Sequence, residues 1–169
     1  PAYIAEGRPE ALSDWGQFAV GGGTLVLGED VTPYTLATAL FTDYAQKLRT
    51  VWMPANAGPA GYDPERAFDF PVGTVITKTF YYPRAEGGFD HVLQVEGGMA
   101  HYADRELDLD AVRLIETRVL VHRESGWETL PYVWNEDQSE AYLTRAGGFV
   151  DLILVSEAGE EALGYAVPN

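Results

Sequence analysis

The stretch Val112-Arg113-Leu114-Ile115-Glu116-Thr117-Arg118-Val119-Leu120-Val121-His122-Arg123, followed by Glu124-Ser125-Gly126-Trp127, decides how this chain folds. Successive side chains on a strand point to opposite faces. Ile115, Thr117, Val119 and Val121 therefore share one face, while Glu116, Arg118, Leu120 and His122 share the other. The first face is apolar enough to cover a core. The polar break at Glu124-Ser125-Gly126 leads into a second alternating stretch, which predicts an antiparallel hairpin.

Outward from this hairpin, β-branched and aromatic residues predict further strands over 47–53, 74–82, 127–135, 140–144 and 149–155. Ten prolines and eighteen glycines divide the chain into short segments. Only 9–15 and 38–46 resemble helix, at one or two turns each. With no crossover helix between strands, a parallel doubly wound sheet is disfavoured. The expected fold is mainly β: an antiparallel β-sandwich or jelly-roll-like domain with one or two short helices and long loops. Residues 1–30 read as an N-terminal arm with a short helix, and 31–169 as a single antiparallel β domain. The segments 54–70 and 83–110 read as long loops, of the kind that is either functional or decorative.

The charge balance narrows function. Eleven Lys+Arg against 26 Asp+Glu give a formal net charge of −15, which disfavours both nucleic acid and anionic lipid as partners. No apolar run reaches the roughly 20 residues of a membrane span. Cysteine is absent, so disulfides, thiol catalysis and thioether haem attachment are excluded within these residues. The chain begins at Pro1 without an initiating methionine, as expected of a sequence whose leader has been removed or of a piece of something longer.

Candidate chemistry is sparse. Gly21-Gly22-Gly23 precedes Thr24-Leu25-Val26-Leu27 and matches neither a dinucleotide fingerprint nor a P-loop, so it reads as a flexible turn. Ser13, Ser125, Ser139 and Ser156 lie in no nucleophile elbow. His91, His101 and His122 show no spacing that would place two imidazoles on one metal; His101 and Asp104 could cooperate, and His122 reads as solvated. The oxygen-rich stretches 104–110 and 135–138 offer weak calcium candidates at Asp104, Asp108, Asp110, Glu136 and Asp137, though neither matches the twelve-residue calcium loop and a solvated acidic surface is the favoured reading. Lys78 shares a strand face with Ile76 and Phe80, so its ammonium either escapes at an edge or pairs with a buried carboxylate, for which Glu116 is the expected partner. Trp52, Phe70, Phe80, Tyr81, Tyr82, Trp127, Tyr132 and Trp134 could form either a sandwich core or a carbohydrate-stacking platform.

Four ordered segments carry a family resemblance: Pro33 to Ala45 (PYTLATALFTDYA), Phe70 to Phe80 (FPVGTVITKTF), Glu116 to Val121 (ETRVLV), and Gly126-Trp127 with Tyr132 to Gln138 (YVWNEDQ). Over residues 10–169 the chain resembles the haem-free N-terminal β region of a family of bacterial exported di-haem c-type cytochromes, also found beside cytochrome modules in secreted quinoprotein-like dehydrogenases. Tyr165-Ala166-Val167-Pro168-Asn169 is similar to the family segment that leads into a Cys-x-x-Cys-His haem motif. The chain departs from the family pattern at Thr35, Ala37 and Ala39, where Asp, Asn and Pro are usual. The resemblance implies an exported, periplasmic or extracellular, non-catalytic module that shields or positions a haem domain or docks a redox partner in electron transfer. Haem c is then expected in an adjoining domain, with no cofactor and no catalytic residue in this chain. An acidic surface suits charge-steered redox encounters. The rival expectation is a carbohydrate- or calcium-binding accessory module of a secreted enzyme. Oligomeric state is left open, since strand edges permit assembly.

Overall fold

A computed structural model describes residues 1–38 and 43–168. The chain is mainly antiparallel β. In chain order the strands are β1 (Phe18–Gly21), β2 (Thr24–Leu27), β3 (Thr32–Tyr34), β4 (Gln46–Trp52), β5 (Val75–Pro83), β6 (His91–Leu93), β7 (Tyr102–Ala103), β8 (Glu106–Asp108), β9 (Val112–Arg123), β10 (Gly126–Trp134), β11 (Ala141–Leu143), β12 (Gly148–Ser156) and β13 (Gly159–Val167). A six-stranded sheet in the order β11-β10-β9-β5-β4-β3 is flanked by a four-stranded sheet, β1-β2-β8-β7, and a three-stranded sheet, β13-β12-β6.

All six strands expected from the pattern are present, and β9 has the expected bounds. The β9–β10 hairpin closes with Arg123 opposite Gly126, whose φ of 108° lies where a side chain would be strained. The segment 83–110 is not one long loop: it supplies β6, β7 and β8, strands too short to show a period of their own. β6 pairs with β12 in parallel, the one such pairing among otherwise antiparallel neighbours of the described residues. The helical turn expected over 9–15 is a 3₁₀ turn at Leu12–Trp15. Of the one expected over 38–46, residues 39–42 lie outside the described residues, and Gln46 already opens β4.

The two faces of the central sheet carry separate cores. Thr77, Thr79 and Tyr81 of β5 alternate with Lys78, Phe80 and Tyr82. On the first face Leu48, Val75, Tyr81, Val119, Val121, Leu130 and Tyr132 pack with Leu25, Leu27 and Leu107 of the four-stranded sheet and with Leu12 and Trp15. Residues within 1–30 are therefore part of this core. Trp15 Nε1 donates to Tyr132 Oη at 2.9 Å, and Tyr132 Oη donates to the Pro9 carbonyl at 2.9 Å. On the second face Phe80, Tyr82 and Ile115 pack with Val92, Leu152, Leu154, Tyr165 and Val167 of the three-stranded sheet.

Ile115 was expected beside Thr117 and Val119, yet it belongs to the second core. The β5–β9 register shifts between Phe80 and Tyr81, so that Phe80 faces Glu116 while Tyr81 faces Leu114. A bulge of this kind sets an extra residue against one partner and interrupts the alternation. Ile115 and Glu116 both serve the second face as a result.

Gln138, with φ of 58°, turns its buried amide into a substitute for missing ladder bonds. Its Oε1 accepts from Leu114 N at 2.6 Å and its Nε2 donates to the carbonyls of Leu109 and Val112 at 2.9 and 3.1 Å.

Two outcomes follow from this packing. Leu107 is fully buried in β8, so Leu107→Ala should lower the free energy of chemical denaturation by about 2–5 kcal/mol, whereas a free loop at 83–110 would tolerate it. Burial pushes the phenols of Tyr81, Tyr82 and Tyr165 above their ordinary 10.0, so the folded chain holds protons that the unfolded chain releases once pH exceeds that value. These tyrosines should make stability fall as pH rises past 10.0, and their phenolate absorbance should appear together with loss of the circular dichroism signal.

Candidate functional site

The open part of the second sheet face is built in rows by strand register. Tyr34, Arg49, Lys78, Arg118 and Pro131 lie opposite one another across β3, β4, β5, β9 and β10. The neighbouring row, Lys47, Phe80, Glu116 and Val133, is tucked beneath the three-stranded sheet. On the other side lies Val51, Ile76, Leu120 and Thr129, and beyond it His122 opposite Trp127.

Glu116 is the hub of the covered row and is fully buried. Arg118 grips it in a fork, Nη2 to Oε1 at 2.6 Å and Nε to Oε2 at 3.1 Å, and Tyr165 Oη donates to Oε1 at 2.8 Å. This corrects the expected Lys78–Glu116 pair. Alternation correctly placed both residues on one face, but register sets Lys78 opposite Arg118 and Glu116 opposite Phe80. Burial acts against the Arg118 cation, yet its hydrogen bonds and attraction to Glu116 win and raise its pKa. Lys78 instead stands over the Phe80 ring, with Nζ 5.0 Å from the centroid; Arg118 lies 4.6 Å and Lys47 6.0 Å from the same ring. Burial, followed by repulsion from Arg118 and Arg49, pushes the Lys78 pKa down; burial, followed by repulsion from Arg49 and Lys78, does the same for Lys47.

At the far end of the face, aromatic rings form a ladder. Centroid distances are 5.9 Å for Tyr62–Phe68, 5.8 Å for Phe68–Phe70 and 6.3 Å for Phe70–Trp127, and Trp127 stacks on His122 at 4.5 Å and 8°. Tyr62, Phe68 and Trp127 are 75, 57 and 43% exposed. The loop that carries the ladder is tied at its base, because Gly61 N donates to Asp69 O at 2.8 Å and Asp69 N donates back to Gly61 O at 2.9 Å. A Cβ on Gly61 would lie 3.1 Å from that of Asp69, so the close approach favours glycine. The His122 carbonyl accepts from Gly73 N at 2.8 Å, and His122 Nδ1 lies 2.8 Å from the Phe70 carbonyl, where its N–H is the donor. His122, expected in solvent, is half-buried in this stack.

The remaining sequence candidates are dispersed. Phe80, Tyr81, Tyr82, Tyr132 and Trp134 are core, and Trp52 and Phe70 are half-buried. Asp104 lies in the β7–β8 turn, Asp108 accepts from Asp110 N at 3.0 Å, and the Asp110 carboxylate lies against Gly23. Glu136 is exposed in the β10–β11 turn; Asp137 Oδ1 accepts from Ser139 Oγ at 2.6 Å and from Ser139 N at 3.1 Å, which holds its carboxyl below the usual range. Among the described residues no three His, Asp or Glu groups converge to hold a metal ion. His101 is exposed, and His91 Nδ1 pairs with Asp90 Oδ1 at 2.9 Å.

No protein-family model matches the chain, and no curated protein or solved structure matches it.

The buried hub sets a stability order. Glu116→Leu, which strands the Arg118 guanidinium and the Tyr165 hydroxyl, should cost about 3–5 kcal/mol in urea melts. Tyr165→Phe, which takes one donor from the buried carboxylate, should cost about 1.5–3 kcal/mol. Lys78→Met should be neutral or stabilising, because it removes a cation that faces Arg49 and Arg118. With its folded pKa lowered, Lys78 binds fewer protons than in the unfolded chain just below 10.5, so its repulsion is relieved as pH rises through that window. The advantage of Lys78→Met over wild type should shrink correspondingly.

Proposed function

We propose that this chain is a non-catalytic docking module of an exported electron-transfer protein, which positions a c-type cytochrome domain or engages its redox partner. The exposed ring ladder from Tyr62 to Trp127 carries the reading. A contiguous run of exposed aromatics is characteristic of an interaction surface, because burying such rings against a partner removes large apolar area at little conformational cost. Its immediate surroundings are net acidic: Asp63, Glu65 and Asp69 are exposed in the same loop against one cation, Arg66, which lies 3.9 Å from Asp63. An apolar centre within an acidic field suits a basic partner that is drawn in by charge and seated by rings. The ordered resemblance over residues 10–169 supplies the class of partner and the exported location, and the haem itself would belong to the adjoining domain.

Carbohydrate binding is the rival use of the same rings. Interplanar angles of 46, 45 and 86° along the ladder do not make the flat platform that a sugar chain prefers, which favours protein docking.

Nuclear magnetic resonance titration with a basic c-type cytochrome tests the reading. Shifts should map to the ladder and its acidic loop, weaken steeply with added salt, and fall by about tenfold in affinity in Phe68→Ala or Trp127→Ala. Shifts elsewhere, or binding indifferent to both salt and these variants, would sink the docking role. Retention on immobilised polysaccharide through the same rings would hand the surface to the carbohydrate reading.

A further inference from the structure

Eleven basic residues serve a chain of net charge −15, and four of them, Lys47, Arg49, Lys78 and Arg118, meet on the second face of the central sheet. Arg49, Lys78 and Arg118 stand directly opposite one another on three adjacent strands. Side chains so paired have Cβ atoms about 4.5–5.5 Å apart, and like charges there destabilise the sheet. Charge balance within the chain is incomplete. Glu116 engages two of the Arg118 nitrogens, while among the described residues no hydrogen bond or ion pair holds Arg49 or Lys78. The Phe80 ring beneath Lys78 and Arg118 softens the repulsion without neutralising it.

We propose that Arg49, Lys78 and Arg118 form a binding site for a compact, multiply charged oxyanion, phosphate or a small polycarboxylate. All three side chains are partly buried, so they are reachable from solvent yet act in surroundings where charge is less screened than in open water. Arg118 retains unused N–H donors after gripping Glu116, Arg49 presents a free fork, and Lys78 supplies an ammonium between them. Tyr34 closes the row beside Arg49. The ligand must be small: the remaining surface is strongly acidic and repels any polyanion long enough to leave the row. Burial comes first in pushing Lys78 toward its neutral form, and an anion seated here offsets the second cause, repulsion from Arg118 and Arg49. This inference does not depend on the docking role, since it uses different residues and a different ligand.

Isothermal calorimetry and thermal melts with inorganic phosphate and with citrate, against sodium chloride at matched ionic strength, test it. Saturable binding and a raised melting temperature are expected with at least one of the two anions and not with chloride. Phosphate alone identifies a phosphate-type ligand, and citrate alone a carboxylate-type one. Arg49→Gln and Lys78→Met should each weaken binding by about tenfold or more while melting no lower than wild type without anion, which separates lost binding from lost folding. Absence of saturable binding for both anions, or equal affinity in wild type and both variants, would overturn the site.

Discussion

A fully buried carboxylate needs partners, and the placement of Glu116 organises this molecule. Arg118 on its own strand and Tyr165 on the last strand together satisfy it. The hydroxyl of Tyr165 thereby ties the C-terminal hairpin to the central sheet, and its ring packs edge-on against Phe80 and Tyr82 at 6.1 and 6.4 Å. The hairpin lies over one end of the second face and leaves the rest uncovered. Where the flanking sheet stops, the candidate surface begins.

That uncovered face changes character along the strands. Next to the hairpin stand the cations, then Val51, Ile76 and Leu120, then the His122–Trp127 stack and the ring ladder. Rows two residues apart are separated by about 7 Å, so charged and aromatic ends lie roughly 13 Å from one another. Strand β9 reaches both ends, through Arg118 at one and His122 at the other. The opposite face is closed by Thr–Thr bonds, Thr50 to Thr77 at 2.6 Å and Thr79 to Thr117 at 2.8 Å, and by the first core, which gives the open face a rigid backing.

Legibility followed strand length. β9, β10 and β5 are long enough for a period of two to emerge, and the pattern found them. β6, β7 and β8 have two or three residues each, and their extended form comes from ladder bonds to distant partners. β13 is nine residues long yet was not visible, because Gly159, Glu160, Glu161 and Gly164 interrupt its apolar pattern; it is held by pairing along the whole of β12. Exposed glutamates on that outer strand also guard an edge that would otherwise recruit another chain.

By itself the sequence determined an all-β chain, the central hairpin, the shared face of Lys78 and Glu116, and a strongly acidic composition, because these depend on local alternation and on residue content. Tertiary structure decided who faces whom. Arg49, Lys78 and Arg118 are far apart in the chain, as are Tyr62 and Trp127, and only register across β4, β5, β9 and β10 and the tied loop at Gly61 and Asp69 bring each group together. The register of β5 on β9 set the final pairing, giving Glu116 to Arg118 and Tyr165 and leaving Lys78 between Arg49 and Arg118. Alternation specifies a face, whereas register is a property of two strands and is written in neither alone.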